Sequence, residues 1–366
     1  MISVVYLIII YGIICFAIII FNICAILYGK GNRRISSLKI NNYKSKIKEQ
    51  FARVSEGALV DENHKKYLKR HLKRSSELFI FDEIVASYIK RENEYIERYL
   101  DNLNEVFMDL LYFYEKRSNT ELAYYLSVIR DYNFLYNNNS YEVERILFET
   151  LYDESFYCRD NAYLAICKIG DPYKLRTALI NISKSDKFFH RNLISNGLNI
   201  YNGDNDILND ILIKNFDLFR IDIRCCIIYY LSFCSDEYSE FIYSILTRPR
   251  SDRSLKLSCL KYFEYVYYYK VEKLLITYVD EYFNNDFEFC LYAVRALRNY
   301  VSEGSITTIR KAIYSNNFRI RDAACESLAV IRLGLDVKEL NDFEFEEDVT
   351  DMYNYHVKKN MKKTVK

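Results

Sequence analysis

The sequence predicts an all-α protein: an α-solenoid of antiparallel helix pairs preceded by one N-terminal transmembrane helix. Three observations predict it. One residue pattern returns about every 32 positions between 155 and 334, the range in which a fixed period signals stacked units. Glycine occurs 9 times and proline 2 times, so long helices run uninterrupted and tight hairpins lack their turn residues. Residues 2–28 carry no charged side chain, and Ser3 and Asn22 are their only plainly polar interruptions.

The span comes first in the chain. It exceeds the roughly 20 apolar residues a bilayer requires. No basic residue precedes it and it is too long for the core of a cleaved secretory signal. Lys30, Arg33, Arg34, Lys39, Lys44, Lys46 and Lys48 follow, with no acid before Glu49. An excess of positive charge on the C-terminal flank predicts a single-pass protein of the cell membrane, with its N-terminus outside and its bulk in the cytoplasm.

Residues 29–75 read as a basic juxtamembrane connector. Within it, HKKYLKRHLKR from His64 to Arg74 places Lys66, Arg70, Lys73 and Arg74 on one side of a helix and Leu68 and Leu72 on another. Such a stretch can lie on anionic lipid, with Arg33, Arg34 and Lys39 beside it. A solvated helix face is the equal alternative.

Residues 77–152 keep the helical period, from Phe81, Ile84, Val85 and Tyr88 through Leu103, Val106, Phe107 and Leu110. The polar run 90–94 divides two helices or marks the exposed middle of a long one, and a further pair spans 119–132 and 141–152. These read as divergent first units that cap the array.

From 155 to 334 each unit offers a first helix whose buried residues lie three, seven and ten positions after a polar or basic start. Arg159 introduces Ala162, Ile166 and Ile169; Arg191 introduces Ile194, Leu198 and Tyr201; Arg224 introduces Ile227, Leu231 and Cys234. Lys256 introduces Cys259, Phe263 and Val266; Cys290 introduces Ala293, Leu297 and Tyr300; Arg321 introduces Ala324, Leu328 and Ile331. These offsets share one side of a helix. Second helices are predicted over 172–183, 206–215, 237–246, 271–283 and 305–314, with Asp171, Asp204 and Ser235 as N-caps and Pro172 at a first helical position. Residues 335–366 form an acidic then basic tail that reads as a solvated end, with seven carboxylates between Glu339 and Asp351.

The copies FYCRDNAYLAICKIGDP from Phe156 and FRIRDAACESLAVIRLG from Phe318 resemble the HEAT-repeat family, in particular its short-unit bacterial type. The resemblance covers 155–334 clearly and 119–152 weakly. It departs from the pattern at Cys290, which replaces the basic residue, and at Tyr267–Tyr269, which replace a glycine turn. It implies a curved stack of helix pairs used as a binding surface.

Charge is balanced, with 51 Lys plus Arg against 50 Asp plus Glu, which argues against the whole chain binding nucleic acid. The chain lacks a phosphate-binding loop, a dinucleotide fingerprint, a zinc-protease helix and a serine nucleophile elbow, so the sequence offers no catalytic residue, cofactor or metal set. Of its 10 cysteines none forms a C-x-x-C pair, and those in the repeats fall at packed positions, consistent with a reducing compartment. The recurring Arg159, Arg191, Arg224 and Arg321 could form a basic ladder facing an acidic ligand. The weightier reading is that each bonds carboxylates or carbonyls of a neighbouring unit, as the resemblance implies.

The function expected is a membrane-tethered scaffold that binds or regulates a protein partner, for which a membrane enzyme such as a glycosyltransferase is the conjecture. A nucleic-acid-binding helical-repeat protein and a lyase of the short-unit HEAT type are the alternatives.

Overall fold

A computed structural model describes residues 40–90, 95–136, 140–283, 285–334 and 347–364. Every regular element among them is helical, an arrangement compatible with an α-solenoid. The predicted span 2–28 lies outside the described residues, as do Arg33, Arg34 and Lys39; no helix among the described residues is long and apolar enough to cross a membrane. The chain divides into two compact units, one ending at Ala165 and the other beginning at Ile166.

The first unit holds α1 (40–55), α2 (Glu62–His71), α3 (Ser75–Ile89), α4 (Ile96–Asp101), α5 (Asn104–Tyr114), α6 (Asn119–Asp131) and α7 (Tyr141–Thr150). Part of the expected connector is therefore folded. Helix α1 buries Tyr43, Ile47, Phe51 and Val54, spaced by four, four and three as one side of a helix requires. Helix α2 packs on α5, and Leu68 and Leu72, the apolar stripe expected to lie on lipid, are both 0% exposed. Protein already occupies the surface that a membrane would have taken.

The stretch from 77 to 117 forms three helices, where two or one were expected. The extra break follows Asp101, where the Asn102 amide donates to the Arg98 carbonyl at 2.7 Å and accepts from the Val60 amide at 3.4 Å. A short polar side chain that bonds nearby backbone competes with helix propagation.

Aromatic rings fill the core of this unit. Phe107 stacks on Phe134 with centroids 4.1 Å apart, and Tyr114 on Tyr125 at 4.3 Å. Their hydroxyls are satisfied by backbone: Tyr114 donates to the Leu72 carbonyl at 2.6 Å, and Tyr125 to that of Phe107. A buried phenol keeps its ring's hydrophobic contribution only if its O–H finds such a partner.

Helix α8 (Phe156–Ile169) carries the first copy of the repeat and ends at Gly170, whose φ of +82° is the left-handed cap that glycine adopts without strain. The second unit continues with α9 (Pro172–Lys184), α10 (Arg191–Asn199), α11 (Asn205–Lys214), α12 (Ile221–Leu231) and α13 (Ser239–Thr247). It ends with α14 (Arg253–Tyr265), α15 (Glu272–Tyr282), α16 (Phe287–Leu297), α17 (Glu303–Ile313), α18 (Phe318–Gly334) and α19 (Glu347–Thr364). Asp171, Asp204 and Ser235 cap helical starts as expected, each side chain accepting from backbone amides two or three residues on. Helices α10, α12, α14, α16 and α18 each pack on the next in a row. Short turns carry the chain from each of these to a second helix and back, which makes partners antiparallel neighbours.

Of the residues three, seven and ten positions into each repeat, all are buried except one. Each fully buried Leu, Ile or Phe contributes about 1.5–3 kcal/mol. The exception is Cys234, which is exposed because α12 ends at Leu231 and the chain turns before reaching it. The tenth position does more than fill space. Tyr201 donates to the Gly170 carbonyl at 2.9 Å, and Tyr300 to that of Tyr268 at 2.8 Å, so each phenol pins one pair to the turn of the pair before it. At Gly203 a Cβ would lie 2.2 Å from the Gly170 oxygen, so only glycine permits that turn to close.

The tail is the second departure from expectation. Residues 347–364 form α19, which packs on α18 and buries Val349, Tyr353, His356 and Val357. His356 Nε2 lies 2.8 Å from Asp322 Oδ1 on α18.

His64 sits within the first unit, 5% exposed, with Nε2 2.9 Å from the Tyr99 hydroxyl. Burial, assisted by the Lys46 charge and opposed by Asp61, lowers its pKa to about 4. The unfolded chain therefore binds a proton at this histidine that the folded chain refuses, and stability falls as pH drops from about 6.5 towards 4. Urea unfolding of the native chain and of His64→Gln should show a difference that grows through this window, reaching about 2–3 kcal/mol at its acid end. Parallel pH profiles would rule out this histidine as the source.

Candidate interaction surface

Three of the four predicted arginines are turned inward, each towards the loop that precedes its own helix. Arg159, 7% exposed, donates through Nη1 to the carbonyls of Asp153 at 2.8 Å and Glu154 at 3.0 Å. Arg224 donates to the Phe219 carbonyl at 2.6 Å, the Asp217 carbonyl at 2.6 Å and the Asp217 carboxylate at 3.1 Å. Arg321 donates to the Ser315 carbonyl at 2.8 Å. The partners lie five to seven residues upstream, not in a neighbouring unit: a side chain leaving a helix points back towards its N-terminus, so these guanidiniums reach the turn they have just left. Arg191 alone is exposed and makes no ion pair. A ligand-facing ladder of four is thus reduced to one residue. Lys66 and Arg70 on α2, and Lys73 and Arg74 in the turn that follows it, are exposed.

The thiols are held in their neutral form. Burial raises the pKa of Cys226 to about 11 and of Cys290 to about 12, and also raises those of Cys158, Cys225 and Cys259. A nucleophilic cysteine needs the opposite shift. Among the described residues no group of three His, Cys, Asp or Glu side chains could hold a metal ion.

The side of the first helices opposite their buried stripe brings together residues that periodicity does not constrain. Five positions into successive repeats stand Asn196, Tyr229, Lys261 and Arg295; nine positions in, Phe233 and Tyr265. At 100° per residue these offsets fall about half a turn from offsets three, seven and ten. Tyr229 and Phe233 have centroids 5.0 Å apart, and Phe233 and Tyr265 5.3 Å, so one aromatic ridge crosses from α12 to α14. All three rings are about half exposed, at 42%, 57% and 52%. Beside the ridge, Lys261 Nζ lies 4.5 Å above the Tyr292 ring, with the Arg295 guanidinium 5.9 Å from the same centroid.

Where α10, α12 and α14 meet, this side opens into a cleft of about 420 Å³. Cys225 and Cys226 line its floor; Arg191, Asn192, Asn196 and Asn199 form one wall, and Tyr229, Ser258 and Lys261 the other. A second cavity, of about 500 Å³, has an apolar base of Phe216, Ile221, Ile245 and Leu255 under Arg224, Arg248 and Arg250.

Two outcomes test this assignment. Arg224→Met should cost about 1–2 kcal/mol in chemical denaturation, because it removes the donor to the part-buried Phe219 carbonyl, whereas Arg191→Met should stay within about 0.5 kcal/mol of the parent. Equal costs would return Arg191 to a structural role. Among the described cysteines of the native chain, a disulfide reagent should modify Cys234 first and the seven buried thiols only as the chain unfolds; uniform rapid labelling would contradict the packing. Compared with known proteins, the sequence matches no family model and no curated protein.

Proposed function

We propose that this chain is a membrane-tethered scaffold whose HEAT-like helix array, an α-solenoid on the cytoplasmic side, binds a protein partner at the inner face of the membrane. The observation that carries the reading is the aromatic ridge of Tyr229, Phe233 and Tyr265. Exposed rings in contact across neighbouring helices are the residue types that anchor protein interfaces, where they bury large area at little entropic cost.

The tether rests on the uncharged stretch 2–28 and the basic residues behind it. Lys66, Arg70, Lys73 and Arg74 suit an electrostatic contact with anionic lipid at about 1 kcal/mol each, without insertion, since Leu68 and Leu72 are occupied. Anchoring raises the local concentration of the scaffold at a membrane-bound partner, so a modest affinity suffices. A membrane enzyme such as a glycosyltransferase is the partner that this arrangement suits. A nucleic acid suits it less: the row five positions into the repeats runs Asn196, Tyr229, Lys261, Arg295 and Glu326, and a strand-binding groove needs continuous positive charge.

Crosslinking in native membranes followed by mass spectrometry should capture one partner reproducibly through 229–265, and Phe233→Asp with Tyr265→Asp should abolish that crosslink while leaving the helical content intact. An unchanged crosslink in the double variant would remove the ridge from the interface. Digestion of 155–334 by protease added outside intact cells would overturn the topology.

A further inference from the structure

We propose that the cleft across α10, α12 and α14 binds a small anionic sugar, its phosphate or carboxylate held by Arg191 and Lys261 and its hydroxyls by Asn192, Asn196 and Asn199.

The volume, about 420 Å³, is that of a small-molecule site. The lining is unusual in what it combines. It contains two cations and no carboxylate, and neither Arg191 nor Lys261 makes an ion pair. Other basic residues of this unit do pair with carboxylates: Arg220 with Asp222, Arg253 with Asp286 and Glu288, Lys311 with Asp280. Two cations left without a counter-charge on one concave surface attract an anion.

The asparagines carry the second half of the argument. Asn192, Asn196 and Asn199 stand four and three residues apart on α10, in one line along the cleft. Several asparagine side chains elsewhere are engaged with backbone: Asn102 donates to Arg98, Asn161 to Tyr157, Asn215 to Ile211, Asn285 to Glu281 and Asn299 to Phe263. The three in the cleft make no side-chain hydrogen bond among the described residues. Each therefore presents a donor and an acceptor together, the complement of a sugar hydroxyl, which both donates and accepts. Ser258, whose hydroxyl proton goes to the Ser254 carbonyl at 2.9 Å, offers its remaining lone pair as an acceptor. Tyr229 supplies a ring face for the C–H side of a pyranose. The depth comes from Cys225 and Cys226, small enough at the floor to leave room where a larger side chain would fill it.

The inference does not need the protein partner, and its test uses the full chain alone, purified in a neutral detergent. Titration calorimetry with glucose 6-phosphate, glucuronate, glucose and inorganic phosphate separates the contributions. At least one anionic sugar should bind at millimolar concentration or below, and more tightly than both glucose and inorganic phosphate. Phosphate-bearing and carboxylate-bearing probes distinguish the two anion types. Arg191→Ala and Asn196→Leu should each weaken binding by about tenfold, with circular dichroism showing the fold unchanged. Tyr141→Ala, at a residue 75% exposed in the first unit, should leave it unaffected. Binding of glucose or inorganic phosphate at least as tight as that of the tighter-binding anionic sugar, absence of binding by both anionic sugars, or equal affinity in the cleft variants would overturn the proposal.

Discussion

A pair of amphipathic helices cannot bury its own apolar side, and the second unit is organised by that constraint. Each first helix must be covered by the next, which fixes the residues at the contact to be apolar and, where the helices approach closely, small: Gly197, Cys226, Cys259, Ala293, Ala296 and Ala324 are all buried. Directional bonds then set the register that hydrophobic burial alone leaves loose. Ser327 donates to the Val294 carbonyl at 3.1 Å, Asn299 to that of Phe263 at 2.9 Å, and Cys226 to that of Arg191 at 3.5 Å, each from one first helix back to its predecessor. The cysteines are understood in the same terms. They are apolar spacers of the right volume, kept neutral by burial.

The same constraint separates what can be read from the sequence from what cannot. A stripe that must be buried is periodic, so the six first helices, their caps and most second helices are legible. Positions on the other side have no period to obey; Tyr229, Phe233 and Tyr265 look in the sequence like ordinary scattered aromatics, and only the packing of α12 against α14 puts them in contact. The arginines were visible as a recurrence, but whether a guanidinium reaches its own loop or a neighbour depends on the direction of the side chain, which spacing does not encode. Helix α19 was hidden by composition: Val349, Tyr353 and Val357 are spaced as a buried stripe, yet they sit in so many charges that the segment reads as a solvated end.

In the first unit the solution is different. Its core is built from large rings, Phe81, Tyr99, Phe107, Tyr114 and Tyr125 among them, whose shape leaves less freedom of register than aliphatic side chains do. The phenols then anchor backbone carbonyls at the ends of neighbouring helices. A chain with 36 tyrosines uses them here as core residues that also carry a donor, so an abundance that in isolation says nothing about function has a structural use.

Helix α19 lies over α18, the last helix of the stacked row. A row of like units with a bare apolar end would be a template onto which another molecule could add, and then another, since head-to-tail contacts of that kind do not close on themselves. By covering that end with a helix whose outer residues include Asp351, Asn354 and Lys358, the protein terminates the series chemically, much as a capped monomer stops a polymer from growing. Another molecule adding at that end would have to displace α19 first.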